Sequence, residues 1–161
     1  DLLFEYMKDN FNYLVENNVR FRMFGSGDIG SIISLAKSHG VDVVTDIFPA
    51  VFGDDKRKCF ENAAAFVLTS RYEGLPISIL EAMSFGLPCI ASTQTNMRKE
   101  LESSIIEKVD SSEDFLRAIK KLMDNDYYQS SRNNVLENVK QRYDWERIIS
   151  DRCNYIKESV L

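Results

Sequence analysis

Short apolar segments alternate with longer helical patterns along this chain, and that alternation constrains its fold more than any other feature. Strands this short, each followed by a helix, are typical of a parallel sheet with helices on both faces. We therefore expect one α/β domain with a doubly wound, Rossmann-like parallel sheet and a helical C-terminal tail. The predicted strands cover residues 19–24, 41–44, 65–68, 88–91 and 105–109.

Capping residues predict where several of the helices begin and end. Asp28 is placed to cap a helix that runs through His39, and Gly40 suits the end of that helix. Pro76 is placed as the first residue of a helix that ends near Phe85. The other predicted helices cover residues 2–17, 54–62, 97–101, 111–123, 126–142 and 144–159.

Composition excludes several classes of function. The 161 residues suffice for one compact core, and a net charge of -5 disfavours general nucleic-acid binding. The three cysteines are widely separated and include no CxxC pair, which favours reduced thiols and a cytoplasmic protein. No apolar run approaches the length of a membrane span, and no signal peptide is recognisable. Any membrane contact is therefore expected only through regions outside this sequence.

The densest chemical signal lies between Ser70 and Met83. A predicted strand ends there, Gly74 permits a tight turn, and Pro76 starts a helix whose first N–H groups lack intrahelical partners. Glu73 precedes that helix and Glu81 lies within it. Carboxylates accept hydrogen bonds from hydroxyl groups, which sugars supply in number. The spacing of two glutamates alone would fit a helix cap and a solvated side chain equally well.

The complete string resembles the signature of glycosyltransferase family 4, whose members have the GT-B architecture. The matching residues are Glu73-Gly74-Leu75-Pro76, followed by Glu81-Ala82-Met83-Ser84-Phe85-Gly86-Leu87-Pro88. Residues 51–56 and 143–145 resemble further segments of that family. The resemblance implies that residues 1–161 are a C-terminal, nucleotide-sugar-binding domain, a fragment without the N-terminal acceptor domain of the same chain.

The resemblance also implies roles for individual residues. Glu73 would be the catalytic residue, positioning the donor sugar through its hydroxyls, and Glu81 would bind the ribose hydroxyls. The other residues with an implied donor-binding role are Gly25 and Gly27 in a loop close to the donor, Val51 and Lys56 beside the base, and Gly74, Leu75 and Ile77 through their backbone N–H groups.

The implied reaction is a retaining transfer of a hexosyl unit from a UDP- or GDP-sugar to an acceptor, without a metal or other cofactor. Polysaccharide or glycoconjugate biosynthesis is the expected setting, and the isolated fragment is expected to be inactive. Two departures stand out. An Arg and a Lys-Gly pair that neutralise the diphosphate in the family have no counterpart here, and Gln94-Thr95-Asn96 replaces a Gly-Gly pair.

Two other classes of function remain open from the residues. The domain could be a non-catalytic nucleotide-binding or interaction module that has kept the motif. Alternatively, Gly25-x-Gly27-x-x-Gly30 follows a predicted strand, as in dinucleotide-dependent oxidoreductases, although a lone match of this kind is weak. His39 is the single histidine, and no metal-ligand spacing surrounds it.

Overall fold

The computed structural model describes residues 1–103, 105–144, 146–150 and 153. Helices and strands alternate as the sequence predicts. The helices are α1 (Leu2–Asp9), α2 (Phe11–Glu16), α3 (Ile29–Ser38), α4 (Gly53–Glu61), α5 (Ile77–Ser84), α6 (Arg98–Glu102), α7 (Ser112–Met123) and α8 (Asn125–Arg142). The strands are β1 (Phe21–Gly25), β2 (Thr45–Pro49), β3 (Phe66–Leu68), β4 (Cys89–Ala91) and β5 (Ile106–Lys108).

The strands form two parallel sheets rather than one continuous sheet. β1 pairs with β2, so that Phe21 lies beside Thr45, and the second sheet has the order β3-β4-β5. Within the described residues no ladder joins β1 to β3. The predicted single sheet is thus divided, while the parallel strand direction and the α/β architecture are confirmed.

The packing of the helices shows which edges of the two sheets face each other. α3 packs through Ala36 into the same core cluster as Ile90 of β4, whereas α5 packs into a second cluster with Cys89 and Ala91. Neighbouring residues of a strand point to opposite faces, so α3 and α5 cover opposite faces. A right-handed crossover on one face of a sheet leads in the direction opposite to one on the other face. The step from β1 to β2 through α3 therefore leads away from the step from β3 to β4 through α5. The free edges of β1 and β3 thus face each other, and these are the inner strands. The fold is therefore doubly wound, with its switch point between β1 and β3.

Each face of the sheets has its own hydrophobic core. On one face, the rings of Phe21 and Phe115 stack at 5.8 Å between centroids, and α1, α3 and α7 pack around them. On the other face, Ile79 and Met83 of α5 pack with Val135 of α8, and all three are fully buried. None of the helices within the described residues combines the length and apolar character needed to cross a membrane.

The C-terminal helix is tied down by a buried glutamate. Glu100 of α6 is 2% exposed and accepts hydrogen bonds from Arg142 Nη1 at 2.7 Å and from the Tyr143 hydroxyl at 3.0 Å. Burial, together with the bond to Glu100, raises the pKa of Tyr143 to about 12. The predicted helical tail is confirmed through α8, and most of the helix predicted for residues 144–159, together with Trp145, lies outside the described residues.

Two predicted elements were wrong in their bounds. Residues 41–44 do not form a strand: Asp42–Val44 is a turn of 3₁₀ helix, and the strand follows at Thr45–Pro49. Val41 and Val44 are both buried, and Thr45 Oγ1 donates to the Val41 carbonyl at 2.8 Å. Two apolar side chains three residues apart share one side of a helical turn, so their burial does not require a strand.

The first predicted helix is interrupted at Asn10. The side-chain amide of Asn10 donates to the carbonyls of Tyr6 and Ser112, both at 2.9 Å. A side chain that bonds nearby backbone groups competes with the helical ladder. The same amide therefore ends α1 and attaches it to the start of α7.

The helix ends at Gly40 and Gly86 supply a matched test of the packing between α5 and α8. Both glycines are left-handed, with φ of +69° and +70°, but only at Gly86 would an added Cβ meet a neighbour, Leu136 Cδ1, at 3.0 Å. We expect Gly40→Ala to lower the free energy of unfolding by about 1–2 kcal/mol. We expect Gly86→Ala to cost roughly 1–3 kcal/mol more, because Leu136 must shift.

Urea unfolding of both variants measures this difference. Equal losses would contradict the tight approach of α8 to α5 at Gly86.

Candidate functional site

The predicted site residues lie in loops at one edge of the two sheets, at the end of β1, and in the helices α4 and α5 that follow two of these loops. Parallel strands bring their carboxyl ends to the same edge, and a doubly wound fold opens its ligand crevice there, at the switch point. We call this edge the rim and define it by residues 25–28, 50–52, 69–76 and 92–97, which follow β1, β2, β3 and β4. The fold therefore places the predicted loops where such a sheet binds ligands.

Glu73 is held in a fixed position at the rim. Its Oε1 accepts a hydrogen bond from Ser70 Oγ at 2.7 Å, and its backbone N–H donates to the carbonyl of Gln94 at 3.1 Å. The side chain is half-buried, and its Oε2 has no partner among the described residues. Glu73 is thus a preoriented acceptor with one oxygen left for a hydroxyl group.

Unpaired backbone donors lie directly after Glu73. α5 begins at Ile77, and its cap residue Pro76 is buried. Among the described residues, the N–H groups of Gly74, Leu75 and Ile77 have no hydrogen-bond partner, and all three residues are exposed. The positive end of the helix dipole adds to these donors. This turn is therefore suited to bind an anion or a sugar oxygen.

Lys56 and Glu81 form an ion pair that joins α4 to α5. Lys56 Nζ lies 2.7 Å from both carboxylate oxygens of Glu81, and the two side chains are 39% and 38% exposed. An ion pair this accessible contributes little stability. The pair matters for the site instead. Lys56 offsets the charge of Glu81 and orients its carboxylate, and the remaining lone pairs of the carboxylate can still accept hydrogen bonds from hydroxyl groups.

The remaining predicted donor-binding residues, Gly25, Gly27 and Val51, lie at the rim. Gly25 ends β1, Gly27 has φ of +115°, and a Cβ at either position would meet no atom of the described residues within 4 Å. Val51 is half-buried between β2 and α4. No hydrogen bond described for these three residues joins them to Glu73 or Glu81. The ion pair therefore brings Lys56 and Glu81 together, while no described hydrogen bond joins the β1 loop or Val51 to it.

Asp28 belongs to the helix cap rather than to a ligand site. Its carboxylate accepts from the Ser31 N–H at 3.2 Å, and it also accepts a bond from the Ser31 hydroxyl. These bonds, the hydroxyl bond first, lower the pKa of Asp28. The predicted N-cap of α3 is thereby confirmed.

The arginines nearest the turn differ in their availability. Arg71 Nη2 pairs with Asp1 Oδ2 at 2.8 Å, so this guanidinium already has a carboxylate partner. Arg98, at the start of α6, is exposed and has no ion pair in the described part of the chain. Of the two arginines, Arg98 is therefore the one whose charge is not offset by a carboxylate in that part of the chain.

Sequence reasoning missed the contact between the loops that follow β3 and β4. Ser92 Oγ donates to the Ser70 carbonyl at 2.6 Å, and the Asn96 side-chain amide donates to the Gly74 carbonyl at 2.6 Å. The sequence signal for this loop was Asn96. Asparagine is one of the few residues other than glycine that adopt φ > 0 readily, so it could have been expected to keep the backbone conformation of the glycine it replaces.

Exposed aromatic side chains at the rim were also missed. Phe52 is 78% exposed and Tyr72 is 85% exposed. Phe24 and Phe48, which neighbour each other across β1 and β2, stack with ring centroids 5.2 Å apart. Phe48, Phe52 and Tyr72 fall in predicted loops, and this was the signal that could have pointed to this surface.

His39 and Cys89 have structural surroundings. His39 Nδ1 lies 2.9 Å from the Leu35 carbonyl, and its ring lies 5.9 Å from that of Phe4. Cys89 is fully buried, and burial raises the pKa of its thiol, as expected for a core residue. The described residues include no group of three or more His, Cys, Asp or Glu side chains that could hold a metal ion.

The sequence matches a protein-family model. The model described as "Glycosyl transferases group 1" matches residues 2–142. The chain belongs to the group 1 glycosyl transferases. This family assignment confirms the resemblance drawn from the string that begins at Glu73, and the chain corresponds to a C-terminal GT-B domain.

Individual relatives agree with the family assignment. The chain is 26% identical, over 153 residues, to UDP-Gal:alpha-D-GlcNAc-diphosphoundecaprenol alpha-1,3-galactosyltransferase of Escherichia coli, a match that covers 86% of this chain and 39% of that protein. It is 56% identical over 32 residues to lipopolysaccharide 1,6-galactosyltransferase of Salmonella typhimurium, covering 20% of this chain and 9% of that protein.

Solved structures agree in fold. TarM superimposes with a TM-score of 0.79 at 20% identity, covering 96% of this chain and 31% of that chain. The lipopolysaccharide glycosyltransferase WaaG superimposes with a TM-score of 0.71 at 17% identity, covering 86% of this chain and 38% of that chain. The chain thus spans less than half the length of these four proteins.

Proposed function

We propose that this chain is the donor-binding domain of a retaining glycosyltransferase, which transfers a hexosyl unit from a nucleoside-diphosphate sugar to an acceptor in polysaccharide or glycoconjugate biosynthesis. The observation that supports it best is the turn from Glu73 to Ile77 at the switch point. There a fixed carboxylate acceptor precedes three exposed N–H donors at a helix start that have no hydrogen-bond partner among the described residues. A sugar diphosphate offers the complementary groups, hydroxyl donors beside anionic oxygens.

The proposed roles follow from the chemistry of each group. Glu73 accepts hydrogen bonds from hydroxyls of the donor sugar. The N–H groups of Gly74, Leu75 and Ile77 donate to the sugar or the diphosphate. Glu81 accepts from the ribose hydroxyls while Lys56 keeps its charge from repelling the phosphates.

In the proposed reaction the bond between the sugar's anomeric carbon and the diphosphate oxygen breaks, and a bond to the acceptor oxygen forms on the same face. The acceptor proton passes to the leaving diphosphate. Glu73 positions the sugar and forms no covalent bond with it. The protein accelerates the step by orienting the reactants and stabilising the leaving group electrostatically.

The proposal also extends to the rest of the protein. The inner edges of β1 and β3 are unpaired within the described residues. A strand lying parallel to them in this gap would end at the rim beside Asp1, which Arg71 of the β3 loop holds at 2.8 Å. We propose that residues ahead of Asp1 supply this strand, and that a further, N-terminal domain supplies the acceptor site.

Ligand titration separates the proposed function from a dinucleotide-binding one. We expect UDP or GDP to bind more tightly than NAD in isothermal titration calorimetry. Glu81→Gln should weaken that binding by roughly tenfold, the value of a hydrogen bond to a charged group. The control is Glu61→Gln, which alters an exposed glutamate of α4 that is paired with Arg57 instead. Selective binding of NAD would support the oxidoreductase alternative and contradict the proposal.

Transfer activity tests the role of Glu73. In the complete enzyme, with UDP-galactose as the first donor tried because the Escherichia coli relative is named for it, we expect Glu73→Ala to lower kcat/KM by roughly 100-fold or more. The melting temperature should stay near that of the unaltered protein. Glu137→Ala, on the exposed side of α8, is the control. Activity of Glu73→Ala within a few-fold of the control would refute the assignment, and a complete enzyme without transferase activity would favour the non-catalytic alternative.

Hydrogen exchange tests the proposed strand. Phe66 donates to the Pro88 carbonyl at 2.9 Å and Leu68 accepts from Ser92 at 3.1 Å, so both face β4. Alternate residues of a parallel strand bond to opposite neighbours, which directs the N–H of Val67 to the inner edge. We expect this amide to exchange at least tenfold more slowly when the residues encoded ahead of Asp1 are included. Ile90 in central β4 should be protected in both proteins, and unchanged exchange at Val67 would contradict the proposed strand.

A further inference from the structure

The loop that follows β4 is fastened to the loop that carries Glu73. Ser92 Oγ donates to the Ser70 carbonyl at 2.6 Å, and the Gln94 carbonyl accepts from the Glu73 N–H at 3.1 Å. The third contact is the side-chain amide of Asn96, which donates to the Gly74 carbonyl at 2.6 Å. The first two contacts fix Ser70 and Glu73, and the third fixes Gly74, the residue that follows Glu73.

The backbone of Asn96 has the left-handed conformation, with φ of 54° and ψ of 24°. Asparagine tolerates this region better than other residues with a side chain, apart from aspartate. Glycine would satisfy the backbone equally well but has no amide to donate. At this position asparagine therefore combines the conformation that the loop requires with a contact that only its side chain can make.

The contact with Gly74 fixes the direction of the next N–H group. In a planar trans peptide the carbonyl of one residue and the N–H of the next point in opposite directions. When Asn96 holds the Gly74 carbonyl, the Leu75 N–H must point away from Asn96. This N–H is one of the exposed donors without a partner among the described residues.

The loop that follows β4 is itself anchored, so Asn96 has a fixed position from which to hold the peptide between Gly74 and Leu75. Both the backbone N–H and the hydroxyl of Thr93 donate to Asp110 Oδ1, at 3.1 and 2.9 Å. Thr95 and Met97, on either side of Asn96, are buried. Asn96 thus projects from a loop that is held at both ends.

We propose that Asn96 is a positioning residue for donor binding: it fixes the peptide between Gly74 and Leu75 so that the Leu75 N–H meets an oxygen atom of a nucleoside-diphosphate sugar. The inference rests on the proposed function, and it deepens it by assigning a specific task to the residue that stands where the resembled family has glycine. Asn96 acts through the turn and does not itself contact the donor.

Two substitutions separate this role from a merely conformational one. Asn96→Gly keeps the left-handed backbone and removes the amide, and Asn96→Asp keeps the size and replaces the donor with a second acceptor that repels the Gly74 carbonyl. In both variants we expect lower backbone order parameters, measured by NMR relaxation without ligand, at the N–H groups of Gly74 and Leu75. Gln94→Ala is the matched control, because Gln94 contributes through its backbone carbonyl and that contact survives the substitution.

Binding of UDP and GDP gives the second measurement. We expect both Asn96 variants to raise the Kd of the preferred nucleotide about fivefold, as for the loss of one hydrogen bond, while Gln94→Ala leaves it unchanged. In the complete enzyme the KM for the sugar nucleotide should rise by a similar factor, with kcat within twofold of the unaltered enzyme. If Asn96 only stabilised the fold, its substitution would lower the melting temperature without raising the KM selectively over kcat.

The outcomes are distinguishable from a failure of the proposed function. If neither nucleotide binds the unaltered protein, the proposed function is wrong, and the order parameters still show whether Asn96 fixes the turn. Unchanged order parameters at Gly74 and Leu75 in Asn96→Gly would overturn the inference. Lower order parameters with unaltered nucleotide affinity would overturn it as well, because the rigidity of the turn would then have no effect on the ligand. If Asn96→Gly does not fold, Asn96→Asp gives the same readouts.

Discussion

Right-handed crossovers on opposite faces of the strands determine where this molecule can bind a ligand. The crossover through α3 leads from β1 to β2, and the crossover through α5 leads from β3 to β4 in the opposite direction. The loops after β1 and β3 therefore diverge and leave a crevice between them. Glu73, the unpaired N–H groups and the β1 loop all lie at this crevice because the handedness of the chain brings them there, and not because any of them attracts another.

Local signals predicted the fold well where the chemistry is local. Asp28 caps α3 through its own side chain, and Gly40 and Gly86 end their helices with positive φ. The errors occurred where a distant contact decided the structure. Asn10 ends α1 by bonding Ser112, more than a hundred residues away. The division of the sheet could not be predicted either, because it depends on which strands pair, and periodicity describes each strand alone.

The same distinction separates the predictable part of the site from the rest. The segment from Ala65 to Phe85 predicts a strand, a turn and a helix, and the structure has them in that order. That Lys56 would pair with Glu81 was not apparent, since 25 residues separate them and either could have been solvated. Asn96 was noted only as a departure from glycine. Its role depends on a contact 22 residues away, which no local pattern contains.

The balance of charge at the rim explains why the turn is built mainly from backbone donors. Glu73 and Glu81 bring two negative charges to a site proposed to hold a diphosphate, and Lys56 offsets only one of them. Arg71 pairs with Asp1, whereas Arg98 and Lys99 of α6 have no ion pair in the described part of the chain. Backbone N–H groups and the helix dipole attract anions without adding a side-chain charge that Glu73 could neutralise. The attraction of an N–H group for an anion depends on the direction of the N–H bond, since the group carries no net charge. A site built from such groups therefore requires its peptide planes to be fixed. The hydrogen bond from Asn96 to Gly74 meets that requirement.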